Sequence, residues 1–384
     1  MTTCAALVVA AGRGTRFGTS TPKQYAGLAG MPVIRHALMA FSGHPDVSHV
    51  QAVIHPDDHQ KFTEAASGLA LAAPVFGGET RQQSVRLGLE ALSDINPDFV
   101  LVHDGARPNV KAETIDHVIA ALSIGAPGAV PIVPIRDSLK KVGDGSQITD
   151  SVPRDNIVRA QTPQGFQFQA LLAAHQRLDG QSLTDDSAVM ENAGFIVTTV
   201  EGDESNTKIT DAADLRIMND SLMETRTGSG FDVHRFGSGD GVTLGGVFIP
   251  MDKALIGHSD ADVLLHAATD AILGALGDGD IGIHFPPTDQ AFKDAGSSLF
   301  LKFAMERLRA LMGALIHLDV TVICEQPKLS TVRDQIRTSI ASIADVPVSR
   351  ISVKATTTEG LGFTGRGEGI ACQAIATVRA PARH

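Results

Sequence analysis

Ala5-Ala-Leu-Val-Val-Ala-Ala-Gly-Arg-Gly-Thr-Arg16 is the stretch on which the fold turns. An unbroken run of small and branched apolar residues, stopped at Gly12, predicts a buried strand that ends in a glycine-rich loop. Working outward, Val47 to Ile54 and Phe99-Val-Leu-Val-His103 repeat the pattern, each ending in polar or turn residues. The intervening stretches Pro32–Ser42 and Arg81–Leu92 read as helices. Strands alternating with helices predict an α/β, doubly wound and mostly parallel sheet. Functional loops of such sheets gather at the carboxyl ends of the strands. Gly12–Arg16 and Asp104–Arg107 both fall there.

Composition narrows what such a fold can do. A chain of 384 residues has room for about two or three domains. Hydrophobic residues at 43% and charged ones at 20% fit a globular protein. With 32 basic and 43 acidic residues, the net charge of −11 excludes a general nucleic-acid surface. An anionic substrate must be met by local Arg, Lys, metal ions and backbone amides. Cys4, Cys324 and Cys372 form no close pair, which argues against a disulfide framework or a cysteine zinc site and suits a reducing compartment. The first residues lack the basic region of a leader, and no apolar run approaches the ~18 residues of a membrane span. A cytoplasmic protein with no membrane partner is expected.

Thr210-Asp-Ala-Ala-Asp-Leu215 predicts a capped helix running to about Glu224, which Thr225-Arg-Thr-Gly-Ser-Gly230 is expected to break. The expected domains are therefore 1–225 and 226–384. In the second, strands near 242–249, 317–324, 348–355 and 369–378 accompany helices near 259–275, 297–312 and 329–344. That mixture predicts a compact α+β domain.

In the first half, Gly12 and Gly14 allow backbone amides to approach phosphate oxygens. Arg16 and Lys23, the latter in Pro22-Lys-Gln-Tyr25, add positive charge suited to phosphoryl or nucleotidyl transfer. Alone, the loop is equally a plain tight turn. It is neither a P-loop nor G-x-G-x-x-G. Together with Gly77-Gly-Glu-Thr-Arg-Gln-Gln-Ser84, Val102-His-Asp-Gly-Ala-Arg-Pro108, Arg154, Thr162-Pro-Gln164 and Asn206-Thr-Lys208, residues 4–222 resemble the methylerythritol phosphate cytidylyltransferases. The resemblance implies a Rossmann-like nucleotidyltransferase domain. It makes Arg16, Lys23, Arg154 and Lys208 catalytic. Gly12 and Gly14 would cradle the triphosphate of CTP, and Gly78 and Ser84 would read cytosine and ribose. Asp104 would lie near magnesium and the ribose, while Arg107, Arg154, Thr184 and Lys208 would hold the methylerythritol phosphate. Glu79 and Ser138 stand where the family often has Asp and Thr.

In the second half, Asp232 and His234 alternate along a strand and share a face. Asp262, His266 and Asp270 recur every four residues on the following helix, capped by Ser259 or Asp260. Asp232, His234 and His266 make an open three-ligand set, the pattern of catalytic zinc. Asp262 and Asp270 are expected to orient the imidazole. His36, His49, His117, His175 and His317 lack such company and read as ordinary. The closing Thr356-Thr-Thr-Glu-Gly-Leu-Gly-Phe-Thr-Gly-Arg-Gly-Glu-Gly369 offers hydroxyls, amides and Arg366 to a diphosphate, and Glu359 to a bridging magnesium.

Residues 226–380 resemble the methylerythritol cyclodiphosphate synthases. That resemblance implies zinc, or another divalent ion, on Asp232, His234 and His266, and magnesium on Glu359. His258 and Thr357 would be catalytic. Ser259, Asp280, Gly282, Thr356, Phe363 and Arg366 would bind substrate, with 324–329 walling the cytosine. Pro287 stands where the family has an Asp. The family implies a homotrimer or higher oligomer.

The expected function is a bifunctional enzyme of the non-mevalonate isoprenoid pathway using zinc and, in both domains, magnesium. An ATP-dependent kinase acts between its two reactions, so no direct channelling is implied, and an assembly recruiting that kinase is one reading of the fusion. The rival readings are a nucleotidyltransferase for another sugar phosphate joined to a zinc hydrolase, and a nucleotide-sensing module.

Overall fold

A computed structural model describes residues 2–13, 17, 21–181, 183–257, 260–286 and 296–382. The chain divides into two compact units, Met1–Asn219 and Asp220–His384. No described helix is long and apolar enough to cross a membrane.

Unit 1 contains strands β1 (Cys4–Ala10), β2 (Gly27–Leu28), β3 (Met31–Pro32), β4 (His49–Ile54), β5 (Val75–Phe76) and β6 (Phe99–Asp104). It continues with β7 (Gly128–Pro134), β8 (Leu139–Val142), β9 (Ile148–Val152), β10 (Val158–Ala160), β11 (Gln164–Gln167) and β12 (Val197–Glu201). Its helices are α1 (Val33–Ser42), α2 (His59–Ala65), α3 (Arg81–Ala91), α4 (Ala112–Ser123), α5 (Phe168–Arg177), α6 (Asp186–Asn192) and α7 (Ala212–Ser221). The eight-stranded sheet runs β10-β7-β11-β6-β1-β4-β5, with β12 beside β7. Its centre, β6-β1-β4-β5, is parallel, and β11 enters antiparallel between β6 and β7. Along β1, Ala6, Val8 and Ala10 join one apolar cluster while Ala5 and Leu7 join another. Helices therefore cover both faces, the physical reason for the unbroken apolar run. The carboxyl ends of β1 and β6 open on one edge, where the site forms.

Unit 2 contains β13 (Met223–Ser238), β14 (Gly241–Leu244), β15 (Val247–Pro250), β16 (Lys253–Ile256), β17 (Ala314–Ile323), β18 (Ile351–Thr356) and β19 (Gly369–Pro381). Its helices are α8 (Val263–Leu276), α9 (Ile281–His284), α10 (Ser298–Ala310), α11 (Arg333–Ala344) and α12 (Gly362–Gly365). Five strands form a sheet ordered β16-β13-β19-β17-β18, in which only β17 and β18 pair in parallel. Its core packs α8, α10 and α11 against one face.

Three expectations are corrected. The helix expected to reach about Glu224 ends at Ser221, and the following strand starts at Met223, so Thr225–Gly230 already belongs to β13, paired residue by residue with β19. Their glycines admit a helix instead of a turn, because a Cβ on Gly228 or Gly230 would strike the backbone of α8. The stretch 242–249 is a hairpin and not one strand, since Gly245 and Gly246 take φ of 62° and 77°. Helix α8 begins at Val263 and is capped by Asp262 and not by Asp260: the Asp262 carboxylate accepts from Leu265 N at 3.1 Å.

Candidate active sites

In unit 1 the loop after β1, the 3-10 turn Lys23–Tyr25, the N-terminus of α3 and the end of β6 enclose a cavity of about 410 Å³. It brings Gly12, Lys23, Gly78, Ser84, Asp104 and Lys208 together. Gly14 and Arg16 lie outside the described residues. Arg107 stands beside Asp104, 3.7 Å away, and donates to the Asn206 carbonyl at 2.7 Å. Thr184 precedes Asp185, the cap of α6, and does not line the cavity. Nor does Arg154, which follows β9 and donates to the Arg136 carbonyl.

The loop geometry has identifiable causes. Buried Gln24 donates to the Ala10 and Gly12 carbonyls at 2.8 and 3.0 Å, pinning the glycine loop to the Lys23 turn. Lys23 Nζ donates to the Ile209 carbonyl at 2.8 Å. Thr80 caps α3 through Gln83 N, and Ser84 Oγ accepts from Gly78 N at 3.1 Å. Ser84 thus shapes the Gly77–Gly78 loop. A Cβ on Gly77 would lie 2.4 Å from that of Ala11, so only glycine lets the two loops meet.

Asp104 is the electrostatic centre. Lys208 Nζ lies 2.8 Å from its Oδ2, and Arg81 Nε 3.4 Å from its Oδ1. Burial works against its charge, but Arg81, Lys208 and Arg107 outweigh burial and hold the carboxyl well below its usual range. Arg81 also reaches Asp186 at 2.8 Å, and Asp186 meets His175 at 3.1 Å inside the core. His175 is thus a core partner of Asp186, while Arg81 was missed. Its one readable signal was its place within Gly77–Ser84; its link to α6 is purely tertiary. His103 donates from Nε2 to the Arg107 carbonyl at 2.9 Å and accepts from Thr162 Oγ1 at 3.0 Å. Burial pushes it down to about 4, and it works as a neutral scaffold.

In unit 2, β13 and α8 bring Asp232, His234 and His266 into one cluster. Asp232 Oδ2 lies 3.0 Å from His234 Nε2 and 2.9 Å from His266 Nδ1, and the two nitrogens are 3.2 Å apart. A tetrahedral ion with bonds of ~2.0–2.1 Å would ask for edges of roughly 3.3 Å, so this donor set fits zinc with little adjustment. His234 Nδ1 donates to the Ile256 carbonyl at 3.1 Å, which turns the Nε2 lone pair inward. Burial would raise the Asp232 carboxyl, yet both imidazoles more than offset it and hold it low. The hydrogen bond to Asp232 raises His234.

The expected supporting residues are different. Asp262 does not orient His266: it caps α8 and accepts from Gly245 N and Gly246 N at 2.9 and 2.6 Å. Burial pushes it up to about 6 despite these bonds. Asp270 accepts from Ile281 N at 2.8 Å and so steadies the short helix α9. Ser297 Oγ meets His266 Nε2 at 2.8 Å.

Asp280 caps α9 through Ile283 N at 3.0 Å, with Gly282 inside that turn. His258, Ser259 and Pro287 lie outside the described residues. Glu359 accepts from Thr357 Oγ1 at 2.8 Å and stands apart from the Asp–His–His set. Thr356 donates to the Thr357 carbonyl. Glu325, within the stretch 324–329, braces this loop by accepting from Thr358 N and Gly360 N. Phe363 is partly exposed, and Arg366 is paired with Glu368 at 2.8 and 3.2 Å.

Residues 4–224 match the 2-C-methyl-D-erythritol 4-phosphate cytidylyltransferase family model, and residues 225–379 match that of the YgbB family. The bifunctional enzyme IspD/IspF of Rhodospirillum rubrum is 53% identical over 99% of this chain and 100% of its own. That of Paramagnetospirillum magneticum is 54% identical over 98% of each chain. The solved structure of the bifunctional IspDF from Campylobacter jejuni is 34% identical over 99% of each chain, with a TM-score of 0.49. The chain therefore belongs to the bifunctional IspD/IspF family, a cytidylyltransferase followed by a cyclodiphosphate synthase.

Proposed function

We propose that each unit carries one of the two reactions on the residues just described. In unit 1 the phosphate of 2-C-methyl-D-erythritol 4-phosphate attacks the α-phosphorus of CTP, and pyrophosphate leaves. The Gly12 loop and Lys23 face the triphosphate, and Gly78 faces the cytidine. Lys208 and Arg107 would hold the acceptor phosphate, with Arg16 and Gly14 completing the contacts; Thr184 and Arg154, which lie off the cavity wall, would have to move toward the substrate to join them. Catalysis by fixed charge and positioning needs no titrating side chain. Asp104 is already engaged by Lys208 and Arg81, which does not fit a magnesium ligand. Magnesium in this half would ride on the triphosphate oxygens.

In unit 2 the 2-phosphate of 4-diphosphocytidyl-2-C-methyl-D-erythritol 2-phosphate attacks its own β-phosphorus, closing the ring and releasing CMP. Asp232, His234 and His266 would hold zinc, whose Lewis acidity supports charge on a phosphate oxygen. Glu359 would meet magnesium, leaving its other positions to substrate and water. Thr356, Thr357, His258 and Ser259 bind phosphate oxygens, and Asp280 and Gly282 the erythritol. The observation that carries this reading is the Asp232–His234–His266 cluster where β13 meets α8.

Phe231, Val233 and Ile375 stand exposed on the sheet face away from the helices, and Phe231 is 60% exposed. We assign this face to a homotrimer or higher oligomer. The buried free cysteines accord with a cytoplasmic enzyme. Association with the intervening kinase is retained as a proposal. Phosphorus NMR of the full chain with CTP, methylerythritol phosphate and magnesium tests the first reaction through pyrophosphate growth. Supplying the 2-phosphorylated intermediate tests the second through CMP release. Absence of either product from folded protein refutes the corresponding assignment.

A further inference from the structure

Ser297 and Asp260 occupy no place in the chemistry above, yet Ser297 meets His266 and Asp260 meets Ser297. Ser297 is fully buried and sits at the N-cap position of α10, where a serine hydroxyl ordinarily caps the helix. Here it makes no cap. Its Oγ contacts Asp260 Oδ1 and lies 2.8 Å from His266 Nε2, while its backbone N–H donates to Asp260 Oδ2 at 3.0 Å. Both oxygens of that carboxylate thus engage one serine, and Oδ1 also accepts from Asp262 N at 3.3 Å.

Proton counting sets the direction of the chain. A carboxylate only accepts, so the single hydroxyl proton of Ser297 goes to Asp260. The hydroxyl oxygen is then an acceptor toward His266, and Nε2 must carry the imidazole proton. That leaves the lone pair on Nδ1, the atom facing Asp232 Oδ2 at 2.9 Å and His234 Nε2 at 3.2 Å. His234 reaches the matching state by another route, since its Nδ1 donates to the Ile256 carbonyl and frees Nε2.

We propose that Ser297 and Asp260 form a positioning relay that locks His266 in the Nε2-protonated tautomer with Nδ1 presented to the metal. The relay rests on the assignment of zinc to Asp232, His234 and His266. It joins α8 to the start of α10, so the ligand geometry depends on two helices and not on α8 alone.

The test uses the full chain, stripped of metal and titrated with zinc against a chelator. Long-range proton–nitrogen NMR of labelled histidine reads the tautomer. The parent should show His266 protonated at Nε2. Ser297→Ala and Asp260→Ala should lose that single tautomer and bind zinc about 10–100-fold more weakly, the usual cost of removing a partner behind a ligand. Ser297→Thr, which keeps the hydroxyl, should restore both. A Ser297→Ala protein binding within about twofold of the parent, with its tautomer unchanged, overturns the relay. So does a parent whose His266 carries its proton on Nδ1, a result that stands even if the alanine variants unfold. A parent binding zinc no better than His266→Ala removes the metal assignment itself.

Discussion

Gly230 lies so close beneath Ala267 that a Cβ on it would sit 2.0 Å from the Ala267 carbonyl oxygen. Gly228 meets Ala271 in the same way, at 2.2 Å. Asp232 and His234 continue that face of β13, and His266 precedes Ala267 on α8. The glycines therefore set the strand-to-helix distance at which three ligand atoms meet.

Gly230→Ala should push α8 from the sheet. The obstacle is backbone, so the cost should reach or exceed the ~1–3 kcal/mol typical of overpacking. Urea unfolding and zinc titration should both register it. Unchanged zinc affinity in this variant refutes the spacer role.

His266→Ala removes one ligand and should abolish cyclisation and bound zinc while cytidylyl transfer continues. Metal analysis and separate assays of the two reactions check this. Normal CMP release would sink the metal assignment.

Lys23→Ala should cost cytidylyl transfer about 10²–10³-fold, as for other groups that stabilise developing charge. Cyclisation should persist. The measurement is pyrophosphate release beside CMP release on one preparation.

Arg81→Met should destabilise unit 1 by about 3 kcal/mol or more, because it strands Asp186 in the core and loosens Asp104. Thermal unfolding and the KM for CTP should shift together. A variant with native stability would show that Arg81 is not the link.

His103 gives a pH dependence of definite sign. Its folded value is pushed down to about 4 by burial, against an ordinary ~6.5. Between these values the unfolded chain binds a proton that the native state refuses, so stability falls as pH falls, by at most ~1.4 kcal/mol per unit. NMR titration of His103 and urea unfolding between pH 7 and 4.5 check this. A midpoint near 6.5 contradicts it.

Much of the fold was legible. The apolar run 5–11 and its repeats at 47–54 and 99–103 became β1, β4 and β6, since a strand covered on both faces has no polar side to show. Asp232, His234 and His266 were readable because two regular periods, two along a strand and 3.6 along a helix, put them on predictable faces. The reading failed where one local signal serves two structures. Glycines at 228 and 230 mark a turn as readily as a close approach, and only the helix above them decides. Asp262 and Asp270 share the His266 face, yet the turn at Gly245–Gly246 and the amide of Ile281 claim their oxygens.

What the sequence determined by itself was therefore local and periodic: which runs are buried, which loops suit phosphate, and which ligands share a face. What only the tertiary structure decided was partnership across the chain. Arg81 joins Asp104 to Asp186, and Ser297 joins Asp260 to His266, through residues far apart in sequence. The physical reason is that a polar side chain fixes how many bonds it must make but not with whom. Burial alone settles that choice, because in the interior each donor must take the acceptor that packing leaves within reach.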